Sequence, residues 1–206
     1  MEGKVYSRVD LLGEYYRNNT KGGGVFGRLV DSLNKRRFQQ YSFHVPRGMY
    51  LRMEHFCDFV EEAAEAPFTQ DKLINALFHE FLMVAFKTLD INMTFKQLMM
   101  MKQGAGKGMQ LVKQDPDSFT FRVLPGGHKQ KMEKVYVSFR RSYAIKLEIL
   151  LEDMDQVVPD HGFIFEDVLA YMYCDFVNAY NKGNRAQLVK RIIKSLGPQE
   201  DEDEDD

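Results

Sequence analysis

Three polar side chains stand two residues apart at Gln40, Ser42 and His44, and three more at Lys134, Tyr136 and Ser138. Between them run Tyr41, Phe43 and Val45 in the first stretch and Val135, Val137 and Phe139 in the second. A period of two marks a strand with one buried face and one solvated face. The solvated faces together hold an amide, two hydroxyls, an imidazole, a phenol and an ammonium. Such groups match the edges of bases in the major groove: glutamine bonds adenine, lysine reaches guanine, and serine accepts either. Lys35, Arg36, Arg37 and Arg47 flank the first stretch, and Arg140 and Arg141 follow the second. Those cations suit phosphate oxygens, which position a protein on a duplex without reading it. The plainer reading of the six polar residues is the wet side of a half-buried sheet.

No other chemistry competes strongly. The five histidines are His44, His55, His79, His128 and His161. None has the spacing of a metal site or stands beside a nucleophile it could activate. The expectation is no catalytic residue, no metal, no cofactor and no small-molecule ligand. Gly104-Ala105-Gly106-Lys107-Gly108 resembles a phosphate loop only superficially. No glycine stands five before Gly106, and no Ser or Thr follows Lys107. The segment reads as a flexible break instead. Leu98-Met99-Met100-Met101 reads as core filler rather than a cofactor box. Cys57 and Cys174 fall in apolar helical patterns and read as buried thiols of a reducing compartment.

The elements that must carry the polar rows follow from periodicity. Residues 38–45 form a strand, which Pro46 stops while opening a helix. Helix 47–65 carries Met49, Tyr50, Met53, Phe56, Cys57 and Val60 at helical spacing, with Glu61, Glu62 and Glu65 on its other face. Ala66-Pro67 ends it, and Thr69 caps a second helix over 70–86 that is apolar around most of its circumference. A short helix over 95–103, capped by Thr94, a strand at 118–123 and a Pro125-Gly126-Gly127 turn occupy the linker 87–132. Strand 134–139 leads into helix 142–157, with Ile145, Leu147, Ile149, Leu150, Leu151 and Met154 inward. A second helix spans 163–181, and a basic one spans 185–196. Residues 7–17 read as a helical piece and 25–34 as another short helix or an arm of an N-terminal extension, 1–34, broken by three glycines.

The chain has 206 residues and a net charge of -2. Its last seven residues, 200–206, are all acidic, leaving 28 basic against 23 acidic elsewhere. The body is mildly basic, and residues 199–206 are expected to be a disordered, solubilising tail. Its functional alternative is a polyanion that competes with nucleic acid for the basic surface. No run of apolar residues is long enough to span a bilayer, and residues 1–4 lack a signal-peptide core. A cytoplasmic, nucleoid-associated protein is expected.

The two halves can be superposed. At an offset of 94, Tyr41, Phe43 and Val45 fall on Val135, Val137 and Phe139, and Met49 and Met53 on Tyr143 and Leu147. With one residue inserted, Leu73, Ile74, Leu77 and Phe78 fall on Val168, Leu169, Met172 and Tyr173. His79 and Cys174 also match, and read as core packing. Here the chain resembles the ribbon–helix–helix DNA-binding family of the Arc and Met repressors, chiefly through Gln40-Tyr41-Ser42-Phe43-His44-Val45-Pro46-Arg47. The resemblance covers 38–86 well and 133–181 more loosely. It implies strand residues in the major groove, and a phosphate held on the backbone amides at the start of the second helix, near Phe68, Thr69 and Gln70. The second half departs from the pattern: it has no proline after its strand and no Ser or Thr opposite Thr69.

The fold expected is mainly α with a short antiparallel β-ribbon, a tandem ribbon–helix–helix pseudo-dimer with helical extensions. Its repeats are 35–86 and 133–183, followed by the basic helix at 184–198. A lone strand has no ladder partner, so strand 38–45 should pair with 134–139, although 118–123 is a rival partner for the latter. The expected function is sequence-specific binding of double-stranded DNA at a non-palindromic site. The role would be a transcriptional regulator or a plasmid or phage DNA-processing accessory factor. Self-association through the helices is a further expectation. The alternative is a helical interaction or scaffold module with an acidic tail and no sequence-specific DNA binding.

Overall fold

The computed structural model describes residues 4–20, 38–88, 90–105, 109–113, 121–125, 131–183, 187–190 and 192; for 18–20, 109–113 and 121–125 it describes the backbone alone. The order is α1 (Leu11–Thr20), β1 (Phe38–Pro46), α2 (Arg47–Ala64), α3 (Gln70–Thr88), α4 (Ile91–Ala105), β2 (Met109–Lys113), β3 (Phe121–Pro125), β4 (Met132–Arg140), α5 (Arg141–Val157) and α6 (Phe165–Asn181). Residues 187–190 and 192 are helical. The chain is mainly helical, with two small antiparallel sheets among the described residues.

The alternating stretches pair with each other. Strand β1 runs antiparallel to β4 over nine residues on each side, from Phe38 opposite Arg140 to Pro46 opposite Met132. The rival pairing does not form: β3 is bonded to β2 instead. Strand β2 went unread because five residues with adjacent Leu111 and Val112 do not fix a period. Of the predicted strand at 118–123, residues 118–120 lie outside the described ones; 121–123 belong to β3, which continues to Pro125.

Beneath the β1–β4 ribbon lies a core built twice in the same order. Tyr41, Phe43 and Val45, and their counterparts Val135, Val137 and Phe139, are all buried. The seven buried residues of α3 each fall, 95 positions on, upon a buried residue of α6, from Leu73 on Val168 to Ala85 on Tyr180. Phe68 and Phe163, also 95 apart, are both buried. The residues before α2 and α5 have nearly the same backbone angles, φ -57° and ψ 133° at Pro46 against -56° and 128° at Arg140. Arg140 therefore adopts what proline would impose, and the missing proline leaves the turn unchanged. Aromatic rings close the space under the ribbon: Tyr41 stacks on Phe165 with centroids 4.1 Å apart, and Phe78 meets Phe139 at 4.4 Å.

Several boundaries differ from the sequence reading. Helix α4 starts at Ile91 rather than residue 95, because Asp90 caps it by accepting the Met93 amide at 2.9 Å. Thr94 lies inside that helix, buried, its hydroxyl turned back to the Asp90 carbonyl. Within the methionine run, Leu98 is core, but Met100 is exposed. In α5 the inward position expected of Ile149 is exposed, while Glu148 is fully buried. Residues 4–10 are not helical, and α1 begins at Leu11. Helix α2 ends at Ala64, and its C-cap Glu65 takes a left-handed φ of 51° just before Ala66-Pro67. The predicted helix at 25–34 and the acidic tail lie outside the described residues, as does most of the basic helix at 185–196.

Candidate nucleic-acid interface

The ribbon's outer face is set by pairing register. Gln40 stands opposite Ser138, Ser42 opposite Tyr136, and His44 opposite Lys134. All six are exposed or half-buried, and the residues between them are buried. The six polar side chains predicted from the two halves thus form three adjacent cross-strand pairs. A residue faces its own counterpart, 94 positions on, only at Ser42 and Tyr136, which makes that pair the centre of the ribbon.

Helix α3 fixes the pleat. The Ser138 amide donates to Asp71 Oδ1 at 2.9 Å, and the Ser138 carbonyl accepts from Asn75 Nδ2 at 3.1 Å. Both Ser138 backbone groups therefore point away from β1. Gln40 and Ser138 form a non-hydrogen-bonded pair, and by alternation so do the other two outward pairs. Opposed α-carbons in such pairs are only about 4.5 Å apart, which crowds the outward side chains into a narrow row. The Lys134 ammonium lies 4.9 Å from the centroid of the Tyr136 ring. That cation–π contact draws it towards the middle of the ribbon.

The face extends beyond those six residues. Phe38 and Met132 share the parity of the outward positions, and 50% and 48% of their surfaces are exposed. They are apolar groups at opposite ends of the row, suited to thymine methyls. Phe38 was legible from its spacing to Gln40. Met132 was not, because it precedes the alternation that marks β4.

The expected phosphate contacts divide. Lys35, Arg36 and Arg37 lie outside the described residues. Arg140 is exposed at the rim. Arg47 and Lys131 share Glu133, at 3.7 and 3.6 Å. Arg141 is half-buried and tied to Glu14 of α1 at 2.7 Å. Thr69 Oγ1 receives the Lys72 amide at 3.4 Å, a cap inside α3's own first turn. Gln70 Oε1 accepts from the Tyr173 hydroxyl at 2.8 Å and joins α3 to α6.

The start of α6 is closed by the N-terminal segment. The Phe165 amide donates to the Tyr6 carbonyl at 2.7 Å, and the Arg8 amide donates to Glu166 Oε1 at 3.1 Å. Glu148, the buried carboxylate of α5, receives the Ser7 hydroxyl and the amides of Leu11 and Leu12. Desolvation raises its pKa above the usual carboxylate range, with the bonds from Ser7, Leu12 and Leu11 pulling the other way. The two helix starts thus differ: α3's is capped within its own turn, and α6's is occupied by chain from residues 6–8.

The remaining candidates are structural. His161 is enclosed: its Nδ1 accepts the Phe163 amide at 2.9 Å, leaving Nε2 to donate to the Leu151 carbonyl at 3.0 Å. His79 packs edge-on against Tyr143. Cys57 and Cys174 are buried thiols, both pushed up to about 12 chiefly by burial. No cluster of three or more metal-ligating side chains occurs among the described residues. No helix among them is long and apolar enough to cross a membrane.

The chain matches no protein-family model, no curated protein and no solved structure.

Proposed function

We propose that this protein binds double-stranded DNA sequence-specifically, laying the β1–β4 ribbon into the major groove. One observation carries the reading. Two alternating strands far apart in sequence pair within one chain, so that all six base-compatible side chains share one exposed face. A two-stranded ribbon is narrow enough for the major groove, and its side chains carry the donors and acceptors that distinguish base pairs. The twofold recurrence of strand, helix and helix, with buried positions matched at offsets of 94 and 95, supports a tandem ribbon–helix–helix unit, a pseudo-dimer in one chain. A transcriptional regulator or a DNA-processing accessory factor of a plasmid or phage fits such a unit.

Selection from random duplexes at low salt, followed by anisotropy titration, tests this. The expected outcome is a defined duplex whose affinity falls steeply with salt, because phosphate contacts release counterions. Ser42→Ala should relax base preference, while Arg36→Ala or Arg37→Ala should weaken binding to all sequences alike. A chain that selects no duplex contradicts the proposal and leaves the interaction-module reading.

A further inference from the structure

The two ends of the ribbon carry different chemistry. Resting on the DNA-binding reading above, we infer that the ribbon is polar and reads its duplex in one orientation, with guanine beneath the His44–Lys134 end and adenine beneath the Gln40–Ser138 end. The cross-strand register is what separates these chemistries. In the sequence, Gln40 and His44 share one strand and Lys134 and Ser138 the other. Antiparallel pairing puts Lys134 beside His44 and Ser138 beside Gln40.

At one end the dominant group is the Lys134 ammonium, three donors and no acceptor. A donor-only group is satisfied by the N7 and O6 acceptors of guanine and meets the adenine amino group donor to donor. Its lean towards Tyr136, 4.9 Å from the ring centroid, aims it along the row instead of outward to a phosphate. Two further cations described at this end, Arg47 and Lys131, are partly neutralised by Glu133. At the other end Gln40 offers a donor and an acceptor side by side, the complement of adenine N6 and N7. Ser138 is permissive, its backbone fixed by Asp71 and Asn75. Arg140, exposed at that rim, supplies the phosphate anchor there. Gln40 and His44 are four residues apart on one strand, or about 13 Å at ~3.3 Å per residue. At ~3.4 Å per base step, the two preferences are separated by about four base pairs.

The experiment uses the full chain, its selected duplex and base analogues that remove only N7. With 7-deazaguanine at the selected guanine, wild-type affinity should fall about tenfold. That sensitivity should vanish in Lys134→Ala and persist in Gln40→Ala. With 7-deazaadenine at the selected adenine the pattern should reverse. A palindromic selected site overturns the inference, as does loss of sensitivity at the same base in both variants; in either case DNA binding itself stands. Failure to select any duplex overturns both.

Discussion

Glu148 is a carboxylate without exposed surface, and it holds the N-terminal segment by three hydrogen bonds. Removing it leaves two helix-end amides of α1 and a buried hydroxyl without their acceptor. Glu148→Ala should therefore cost about 2–3 kcal/mol, with hydrogen exchange rising across residues 4–17. Chemical denaturation with exchange mass spectrometry measures both. The pH dependence has a definite sign. Burial raises the folded pKa above the ordinary 4.5, so the folded chain binds this proton more tightly than the unfolded one. The stabilisation that follows is complete below the unfolded value and is lost as pH rises through the folded one. Glu148→Gln should remove that loss, so the two stability curves diverge in slope as pH rises above the ordinary carboxylate value of 4.5. A parallel pair of curves contradicts this assignment. Glu148 was hidden in the sequence because an acid on an amphipathic helix ordinarily marks the wet face. Its partners at Ser7, Leu11 and Leu12 are too distant in the chain for any local pattern to reveal. The outward row was legible, since polar alternation is local and Tyr41, Phe43 and Val45 fix its parity.

At the scale of elements, a two-stranded ribbon has two unpaired edges, and α3 covers part of one. Asp71 and Asn75 satisfy both backbone groups of Ser138. Asp71→Ala should cost about 1 kcal/mol and raise amide exchange at Ser138. Unchanged exchange there contradicts the clamp. The ribbon's underside depends on Phe165, which stacks on Tyr41 and meets Phe78 and Phe139. Phe165→Ala should cost about 3–5 kcal/mol, read from the denaturation midpoint. The strand partner was legible through the repeat: once two halves each offer one alternating strand, each supplies what the other lacks. The β2–β3 hairpin was not, because two five-residue strands carry too little pattern to fix their pairing. Occupation of the α6 start was equally unreadable, since it rests on backbone groups of Tyr6 and Arg8 that leave no trace in side-chain type.

At the scale of the molecule, β1 and β4 pair within one chain, so the six-residue outward face needs no second chain to form it. The two halves are then free to differ, as Gln40 does from Lys134 and Ser42 from Tyr136 at an offset of 94. One chain should bind one selected duplex, with a stoichiometry by sedimentation that does not change with protein concentration. Two chains per duplex at all concentrations contradicts this. The seven acids at 200–206 and the basic residues that flank the ribbon belong to the same chain. Deleting residues 199–206 should tighten DNA binding if the tail competes for those residues; unchanged affinity leaves the tail a solubiliser. The most direct measurement replaces the outward row alone. With Gln40, Ser42, His44, Lys134, Tyr136 and Ser138 all changed to Ala, the circular dichroism spectrum should be retained, because none of the six is buried. The preference for the selected duplex over a scrambled one should then be lost. Undiminished discrimination in that folded variant would contradict the account.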